Sequence, residues 1–399
     1  MIIFTDWCNT IRIFSISLHL KNFRKMKRPF IYGMSVDGDN FTDRELETQR
    51  LKLNFENGIN SIIISPRRMG KTSLVKRVAE QITDPQFKVI YMDIYKCRTE
   101  YDFYEKFAAS IIESTVTKMD QMLETAKEFI MSITPKISFN PEPNTEFSLS
   151  LGITPKANSP EEILSLPERI AQKRGIHIIV CIDEFQQIGE FPDSITVQKR
   201  LRSIWQHQRR TSYCLFGSKK HLMSKLFYSR SLPFYQFGEM LFLKRIPTEK
   251  WVPFIVSRFA SVGKQISEPL ATKICTTVDN YSAYVQQLAW NVLAVSSDTV
   301  TEESFLEGLE ETLAQVSPLF VEQTLRLTTY QLNFIRALCS GYNKDLGKKE
   351  VASQFNLGTR SNLEKLQKAI VEREIADYDE TGYSLTDPLF KIWFKRMMM

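Results

Sequence analysis

The sequence has no long apolar run, few cysteines and little net charge outside its first residues. No hydrophobic stretch among the 399 residues reaches the roughly 18 that a membrane-spanning helix needs. The six cysteines are scattered, with no Cys-x-x-Cys pair and no histidine cluster nearby. This spacing argues against a disulfide framework and a zinc site, and it predicts reduced core thiols in a cytoplasmic protein.

A broad basic surface for nucleic acid is also missing. The net charge is +6, but residues 1–30 carry six basic side chains against one acidic side chain and so hold +5 of it. The remaining chain is nearly neutral. The composition of the full sequence, 43% hydrophobic and 25% charged, is that of a soluble globular protein with two or three domains.

Residues 1–26 mix apolar runs with polar residues and offer no small-residue cleavage site, so a signal peptide fits poorly. Met26 begins a more ordinary start to a protein. We expect translation to begin at Met26 and residues 1–26 to have no role in the fold. A segment that lies on a membrane surface is the alternative.

What the sequence does contain is a phosphate-binding loop. A β-branched run breaks at Ser65 and Pro66, and a helical pattern begins at Lys71 and Thr72. In this order of strand, loop and helix, backbone N–H groups and the positive end of the helix dipole point at phosphates. The predicted nucleotide-binding residues of the loop are Ser65, Pro66, Arg67, Arg68, Met69, Gly70, Lys71, Thr72 and Ser73.

Each part of this loop has an expected role. Lys71 is expected to reach the β- and γ-phosphates, and the Thr72 hydroxyl to bind Mg²⁺. Gly70 lets the backbone approach the ligand closely. The usual pattern opens with glycine, where this chain has Ser65. A Gly-Lys-Thr/Ser triplet alone arises by chance about 0.2 times in a chain of this length, so its context has to support it.

Two adjacent carboxylates provide that context. An apolar run ends at Asp183 and Glu184, after an intervening strand predicted at residues 88–95. We predict that Asp183 holds Mg²⁺, usually through water, and that Glu184 is the general base for the attacking water. An acidic turn after a strand is the alternative interpretation.

Further strands complete a P-loop NTPase core. A strand at residues 212–218 ends in Ser218, which either senses the γ-phosphate or forms a strand-end turn. Five strands with intervening helices predict a parallel α/β sheet with the ligand at its carboxyl edge. This core, residues 27–246, is also predicted to contain helices over about 42–57, 73–82, 100–133, 160–174 and 219–228, a hairpin inserted at about 135–160, a basic helix over 195–210 and a strand over 239–243.

The remaining residues predict two smaller domains. Residues 247–326 show amphipathic helical patterns without a strand, which predicts a helical lid. Residues 327–399 predict three helices and a hairpin, which together make a winged helix. This segment carries 11 basic and 9 acidic side chains, a weak charge excess for duplex DNA. We therefore favour a module that packs on the ATPase or on a protein partner, with DNA binding as the alternative.

Four motifs carry a resemblance to a known family. They are Ser-Pro-Arg-Arg-Met-Gly-Lys-Thr-Ser-Leu at 65–74, Cys-Ile-Asp-Glu-Phe-Gln at 181–186, Phe-Gly-Ser at 216–218 and Asp-Pro-Leu-Phe-Lys-Ile-Trp-Phe at 387–394. Over about residues 27–399 the chain resembles the archaeal-type ATPase family, in the STAND branch of the AAA+-related P-loop ATPases. The resemblance implies ATP and Mg²⁺ as ligands, nucleotide-switched conformational change, self-association in some members and an unidentified protein partner.

The resemblance also assigns residues outside the phosphate loop. It places Arg44 near the adenine, in a Gly-Arg-Glu box whose glycine is Asp43 here. It places Asn280, Tyr281 and Ser282 at a Gly-x-Pro sensor of the lid, with both Gly and Pro lost, and it places Gln236 where relatives often carry Arg. These departures predict an ATPase with slow turnover. The alternatives are a DNA-binding, initiator-like ATPase and a nucleotide-binding scaffold with negligible hydrolysis.

Overall fold

The computed structural model describes residues 28–36, 38–115 and 160–399. The chain divides into two compact units, one from Arg44 to Lys244 and one that joins Arg245–Met399 to the described residues before Arg44. The proposed extension at residues 1–26, the second half of the helix predicted over 100–133 and the hairpin predicted at 135–160 lie outside the described residues.

The first unit contains the predicted parallel five-stranded sheet, which confirms the fold class. Its strands are β1 (Ser61–Ile64), β2 (Phe87–Asp93), β3 (His177–Asp183), β4 (Thr211–Gly217) and β5 (Glu239–Phe242). Their order across the sheet is β2-β3-β4-β1-β5, and every pair is parallel. All carboxyl ends therefore meet at one edge, with β4 between β1 and β3.

Burial explains which strands are central. Every residue of β1 and β4 is buried, as in a parallel sheet that is covered on both faces. β2 alternates between buried and more exposed residues, as an outer strand does. The helices of this unit are α1 (Glu45–Glu56), α2 (Lys71–Gln81), α3 (Glu100–Thr115), α4 (Pro160–Arg174), α5 (Ser194–Trp205) and α6 (Lys220–Tyr228).

The basic helix α5 is shorter than predicted. The expected helix over residues 195–210 ends at Trp205, whose ring stacks on Tyr213 of β4 with centroids 3.9 Å apart. The backbone N–H groups of Arg209 and Arg210 instead donate to the Glu168 carboxylate of α4, at 3.1 and 2.9 Å. The carboxylate of another helix thus accepts the hydrogen bonds of these two N–H groups where the chain turns into β4.

The second unit is helical in its first part. Its helices there are α7 (Thr248–Ala260), α8 (Glu268–Thr277), α9 (Ser282–Val295) and α10 (Glu302–Leu325). Residues 28–43, which the sequence analysis assigns to the core, belong to this unit. The reason is packing: the Phe30 ring contacts Phe254 and Phe259 of α7, and the Ile31 N–H donates to Gln286 Oε1 at 2.9 Å.

The rest of this unit has the three predicted helices and the predicted hairpin, followed by one helix that was not predicted. These elements are α11 (Thr329–Cys339), α12 (Lys349–Gln354), α13 (Arg360–Glu372), β6 (Ala376–Asp379), β7 (Gly382–Leu385) and α14 (Pro388–Met398). Asp387 caps α14 by accepting from the N–H groups of Leu389 and Phe390, at 3.0 and 3.1 Å. Proline at the first helical position suits this start.

Helix α14 packs back on α10. Trp393 Nε1 donates to Ser317 Oγ at 2.9 Å, and the Phe320 and Phe390 rings meet edge to face. The Tyr284 hydroxyl of α9 donates to the Asp387 carboxylate. The segments predicted as lid and winged helix therefore share one compact unit.

Glycine allows α9 and α10 to approach closely. A Cβ atom at Gly308 of α10 would lie 2.7 Å from the Val292 backbone of α9. The five described cysteines are buried free thiols. Within the part of the chain that the structure describes, no helix combines the length and the apolar character that a membrane crossing requires.

Candidate active site

The phosphate loop joins the buried strand β1 to helix α2, as predicted. Two of its residues have left-handed backbone conformations, Arg68 with φ 65° and Gly70 with φ 85°. Gly70 is the N-cap residue of α2 and has no side chain with which to cap it. The first N–H groups of a helix have no partner within the helix, so this end of α2 suits an anionic ligand.

Lys71 lies over the loop and is only 7% exposed. Its Nζ donates to the carbonyl oxygens of Ser65 and Pro66, at 3.1 and 2.8 Å, and to Ser65 Oγ at 3.2 Å. Ser65 is not among the residues with positive φ, so its backbone makes no demand for glycine. The departure from the usual motif thus adds a hydroxyl beside the lysine without strain.

The other predicted loop residues divide by exposure. Arg67 and Arg68 are exposed, whereas Met69 and Ser73 are buried. Arg44 is buried as well, and its guanidinium pairs with Glu47 at 2.9 Å and donates to the Met69 carbonyl at 3.4 Å. The structure therefore brings Arg44 against the backbone of the phosphate loop.

Asp183 and Thr72 meet at the carboxyl edge of the sheet. Thr72 Oγ1, in the first turn of α2, donates to Asp183 Oδ2 at 2.9 Å. Two further donors reach this carboxylate: the Tyr91 hydroxyl to Oδ2 at 2.7 Å and the Glu184 N–H to Oδ1 at 2.9 Å. Residues separated by more than 100 positions thus form one polar cluster.

Burial sets the protonation behaviour of this cluster. It raises the pKa of the Asp183 carboxyl, while the hydrogen bonds from Tyr91 and Thr72 act in the opposite direction. Burial and the negative charge of Asp183 raise the pKa of the Tyr91 phenol, so Tyr91 remains a hydrogen-bond donor. The Thr72 hydroxyl and the Asp183 carboxylate are hard oxygen groups, the type that Mg²⁺ prefers.

Glu184 is held in place by two side chains. Its Oε2 accepts from Ser218 Oγ at 2.9 Å and from Gln186 Nε2. Its backbone is left-handed, with φ 57°, which is uncommon for a residue other than glycine. Ser218 follows β4, the strand between β1 and β3, and so reaches Glu184 from the middle of the sheet.

Gln186 is buried, and its amide fills the space beside Gly217. A Cβ atom at Gly217 would lie 1.7 Å from Gln186 Oε1, so no larger residue fits there without moving the amide. Sequence analysis assigned no role to Gln186 or Gly217, although both lie in the quoted motifs. It also missed Tyr91, because the neighbours of β2 are known only from the strand order.

At two positions where the resemblance predicts glycine, the backbone has the left-handed conformation that glycine favours. Asp43 has φ 57° and Asn280 has φ 56°, both in the left-handed region that asparagine and aspartate tolerate better than most residues. In the second unit, the Asn280 side chain exchanges hydrogen bonds with Thr248 Oγ1, at 3.1 and 3.2 Å. The backbone at these two positions therefore has a conformation that glycine would also adopt.

Comparison with known sequences settles the family. The profile of a family described as an ATPase domain predominantly from Archaea matches residues 41–288, which is more than half of the chain. The chain belongs to this ATPase family. No curated protein matches the sequence of this ATPase.

Solved structures share the fold of this ATPase. The Walker-type ATPase paby2304 of Pyrococcus abyssi is 17% identical, with a TM-score of 0.67, and the match covers 92% of this chain and 99% of that one. The Aeropyrum pernix ORC2 protein, in its ADPNP–ADP complexes, is 14% identical with a TM-score of 0.57, covering 94% and 99%. At these identities the likeness concerns the fold alone.

Proposed function

We propose that this family member binds ATP with Mg²⁺ at the edge of its sheet and hydrolyses it slowly. The observation that carries the proposal is the hydrogen bond of 2.9 Å between Thr72 Oγ1 and Asp183 Oδ2, which joins the phosphate loop to the acidic end of β3. The ADPNP and ADP complexes named for the Aeropyrum pernix ORC2 structure support the choice of an adenine nucleotide.

The residues take the following roles in this proposal. Lys71 turns from the loop carbonyls to the β- and γ-phosphates. Because Thr72 gives its hydroxyl hydrogen to Asp183, the lone pairs of Oγ1 remain available for a cation. Glu184 accepts a proton from the attacking water. Mg²⁺, when bound with the nucleotide, supplies charge stabilisation for the transferring phosphoryl group.

The test separates binding from hydrolysis. Lys71→Ala is expected to abolish binding of a fluorescent ATP analogue, because the buried ammonium lies over the loop on the carbonyl oxygens of Ser65 and Pro66 and is the group assigned to the phosphates. Glu184→Gln is expected to keep binding and to lower phosphate release by about 100-fold or more, since general-base catalysis contributes 10²–10⁴-fold. Two exposed residues of the same unit give the matched controls, Lys199→Ala and Glu80→Gln.

Three outcomes would change the proposal. Wild-type affinity in Lys71→Ala would overturn the site assignment. Phosphate release from the wild type that equals that of Glu184→Gln would favour a nucleotide-binding scaffold. Tighter self-association of Glu184→Gln in ATP than in ADP, measured by sedimentation, would extend the proposal to nucleotide-dependent assembly.

We further propose that the C-terminal part of the second unit is a winged helix that contacts protein. Its exposed helix α13 pairs its own charges, Arg360 with Glu364 and Lys368 with Glu372, each at 3.8 Å. Such pairs leave little uncompensated positive charge for phosphates. In this proposal, the nucleotide that is bound controls whether the winged helix is accessible to its protein partner. Strong, steeply salt-dependent binding of duplex DNA would instead favour the initiator-like alternative.

A further inference from the structure

Tyr91 lies near the carboxyl end of β2, an outer strand of the sheet, and its hydroxyl reaches the predicted active site. This strand is separate in sequence from the phosphate loop. Tyr91 is 38% exposed. Its hydroxyl donates to Asp183 Oδ2 at 2.7 Å. We propose that Tyr91 is a positioning residue that orients Asp183 for Mg²⁺, an inference that rests on the proposed function.

The hydrogen bonds of Asp183 show what this orientation achieves. Oδ2 accepts hydrogen bonds from two hydroxyl groups, those of Thr72 in α2 and Tyr91 in β2. Oδ1 accepts one hydrogen bond, from the Glu184 N–H. A carboxylate oxygen offers about two lone-pair sites. With the bonds from Thr72 and Tyr91, both lone-pair sites of Oδ2 are occupied. Oδ1 has one site left, which can accept a hydrogen bond from a water of hydrated Mg²⁺.

The tyrosine is itself held from two sides. The Lys76 ammonium of α2 lies 5.5 Å from the centroid of the Tyr91 ring, and the Phe216 ring of β4 lies 6.2 Å from it. The contact with Lys76 connects Tyr91 to the same helix that carries Thr72. Outer-shell donors of this kind commonly change metal affinity by 10- to 100-fold when they are removed.

The chain offers a matched control within the same unit. Tyr104 of α3 also donates to a carboxylate, Glu100 Oε2 at 3.0 Å, but Glu100 is not a predicted site residue. The two substitutions Tyr91→Phe and Tyr104→Phe each remove one hydroxyl from a tyrosine–carboxylate pair. Only the first is expected to affect the response to Mg²⁺.

The experiment measures binding of a fluorescent ATP analogue, first in EDTA and then across a titration with Mg²⁺. Tyr91→Phe is expected to leave affinity in EDTA unchanged and to raise the Mg²⁺ concentration for half-maximal tightening by about 10-fold. Tyr104→Phe is expected to match the wild type in both. In an Asp183→Asn background, Tyr91→Phe should have no further effect, because it acts through that carboxylate.

The outcomes distinguish this inference from the proposed function. An unchanged Mg²⁺ midpoint in Tyr91→Phe, with a wild type that responds to Mg²⁺, overturns the inference alone. An equal loss of affinity in EDTA and in Mg²⁺ assigns Tyr91 a structural role and also overturns it. A wild type whose nucleotide binding does not respond to Mg²⁺ overturns the proposed function first, and the inference with it.

Discussion

Asp183 in the first unit and Asp387 in the second have similar partners and different surroundings. Each accepts from a tyrosine hydroxyl and from backbone N–H at the start of the next element. Tyr284, the partner of Asp387, is only 2% exposed, whereas Tyr91 is 38% exposed. Asp183 also accepts from Thr72 on the phosphate loop helix.

The difference shows that a tyrosine–aspartate pair has no fixed role. At Asp387 the backbone donors start a helix and the tyrosine secures that helix to its neighbour. At Asp183 the same kinds of donor act on a carboxylate at the open carboxyl edge of a parallel sheet, where ligands of α/β proteins bind. Location in the topology, rather than the set of partners, is what sets the proposed Mg²⁺ aspartate, Asp183, apart from the structural aspartate, Asp387.

The largest expected effect tests the proposed role of Asp183 in positioning Mg²⁺. Asp183→Asn should lower phosphate release by about 100-fold or more, because the carboxylate charge that positions Mg²⁺ is lost. A phosphate-release assay measures the change, with the exposed Asp193→Asn as the control. Activity within a few fold of the wild type would place Asp183 with Asp387 as a structural residue.

The same substitution should have a pH-dependent effect on stability. Burial raises the pKa of the Asp183 carboxyl in the folded state, so its ionised form costs stability above that pKa. Asp183→Asn removes this cost but also removes an acceptor oxygen from the hydroxyls of Tyr91 and Thr72, so we predict the pH dependence of the difference between the two proteins. The unfolding temperature of the wild type relative to that of Asp183→Asn should rise as the pH falls through the raised pKa towards the ordinary value of about 3.9. A wild type that loses stability relative to Asp183→Asn in acid would contradict this sign.

A smaller effect is expected from Asp387→Ala, on stability alone. Losing an N-cap costs about 1 kcal/mol, and removing the carboxylate that accepts from the buried Tyr284 hydroxyl adds about 1–2 kcal/mol. Denaturant unfolding measures the sum. Thr359→Ala removes only the cap of α13 and should cost about 1 kcal/mol. Equal costs for the two variants would show that Tyr284 contributes nothing.

The smallest effect should come from Tyr284→Phe. Asp387 keeps its bonds from Leu389 and Phe390, so the loss is one hydrogen bond, about 1 kcal/mol. Urea unfolding against Tyr330→Phe, where the tyrosine is exposed, isolates this term. If the two variants were equally stable, the hydrogen bond between Tyr284 and Asp387 would have no structural role.

The local parts of the candidate site were predictable from sequence. The phosphate loop at residues 65–73 combines a buried strand, a glycine and a helix start within one stretch. Asp183 and Glu184 follow a solid apolar strand, and carboxyl ends of parallel strands meet at one edge. Short-range pattern and one topological rule were enough to predict Thr72 and Asp183 as partners at one Mg²⁺ site.

The missed features depend on long-range neighbours. Tyr91 reaches Asp183 only because β2 pairs with β3, a choice that the sequence does not encode locally. Helix α5 ends at Trp205, and the N–H groups of Arg209 and Arg210 find their acceptor in Glu168 of another helix. Helix α14 has a local signal in the sequence, since Asp387 followed by Pro388 is typical of a helix start.

Helix α10 gives the second unit a mechanical property. It has 24 residues, and at 1.5 Å per residue it is about 36 Å long. Gly308 fixes it closely to α9, and Ser317 and Phe320 fix α14 to it further along. Pro318 lies within this helix, between Ser317 and Phe320, and cannot donate the backbone hydrogen bond of a helix interior. We therefore expect α10 to bend most readily beside its contacts with α14, and a spectroscopic probe on α14 should report such a bend better than a probe on α9.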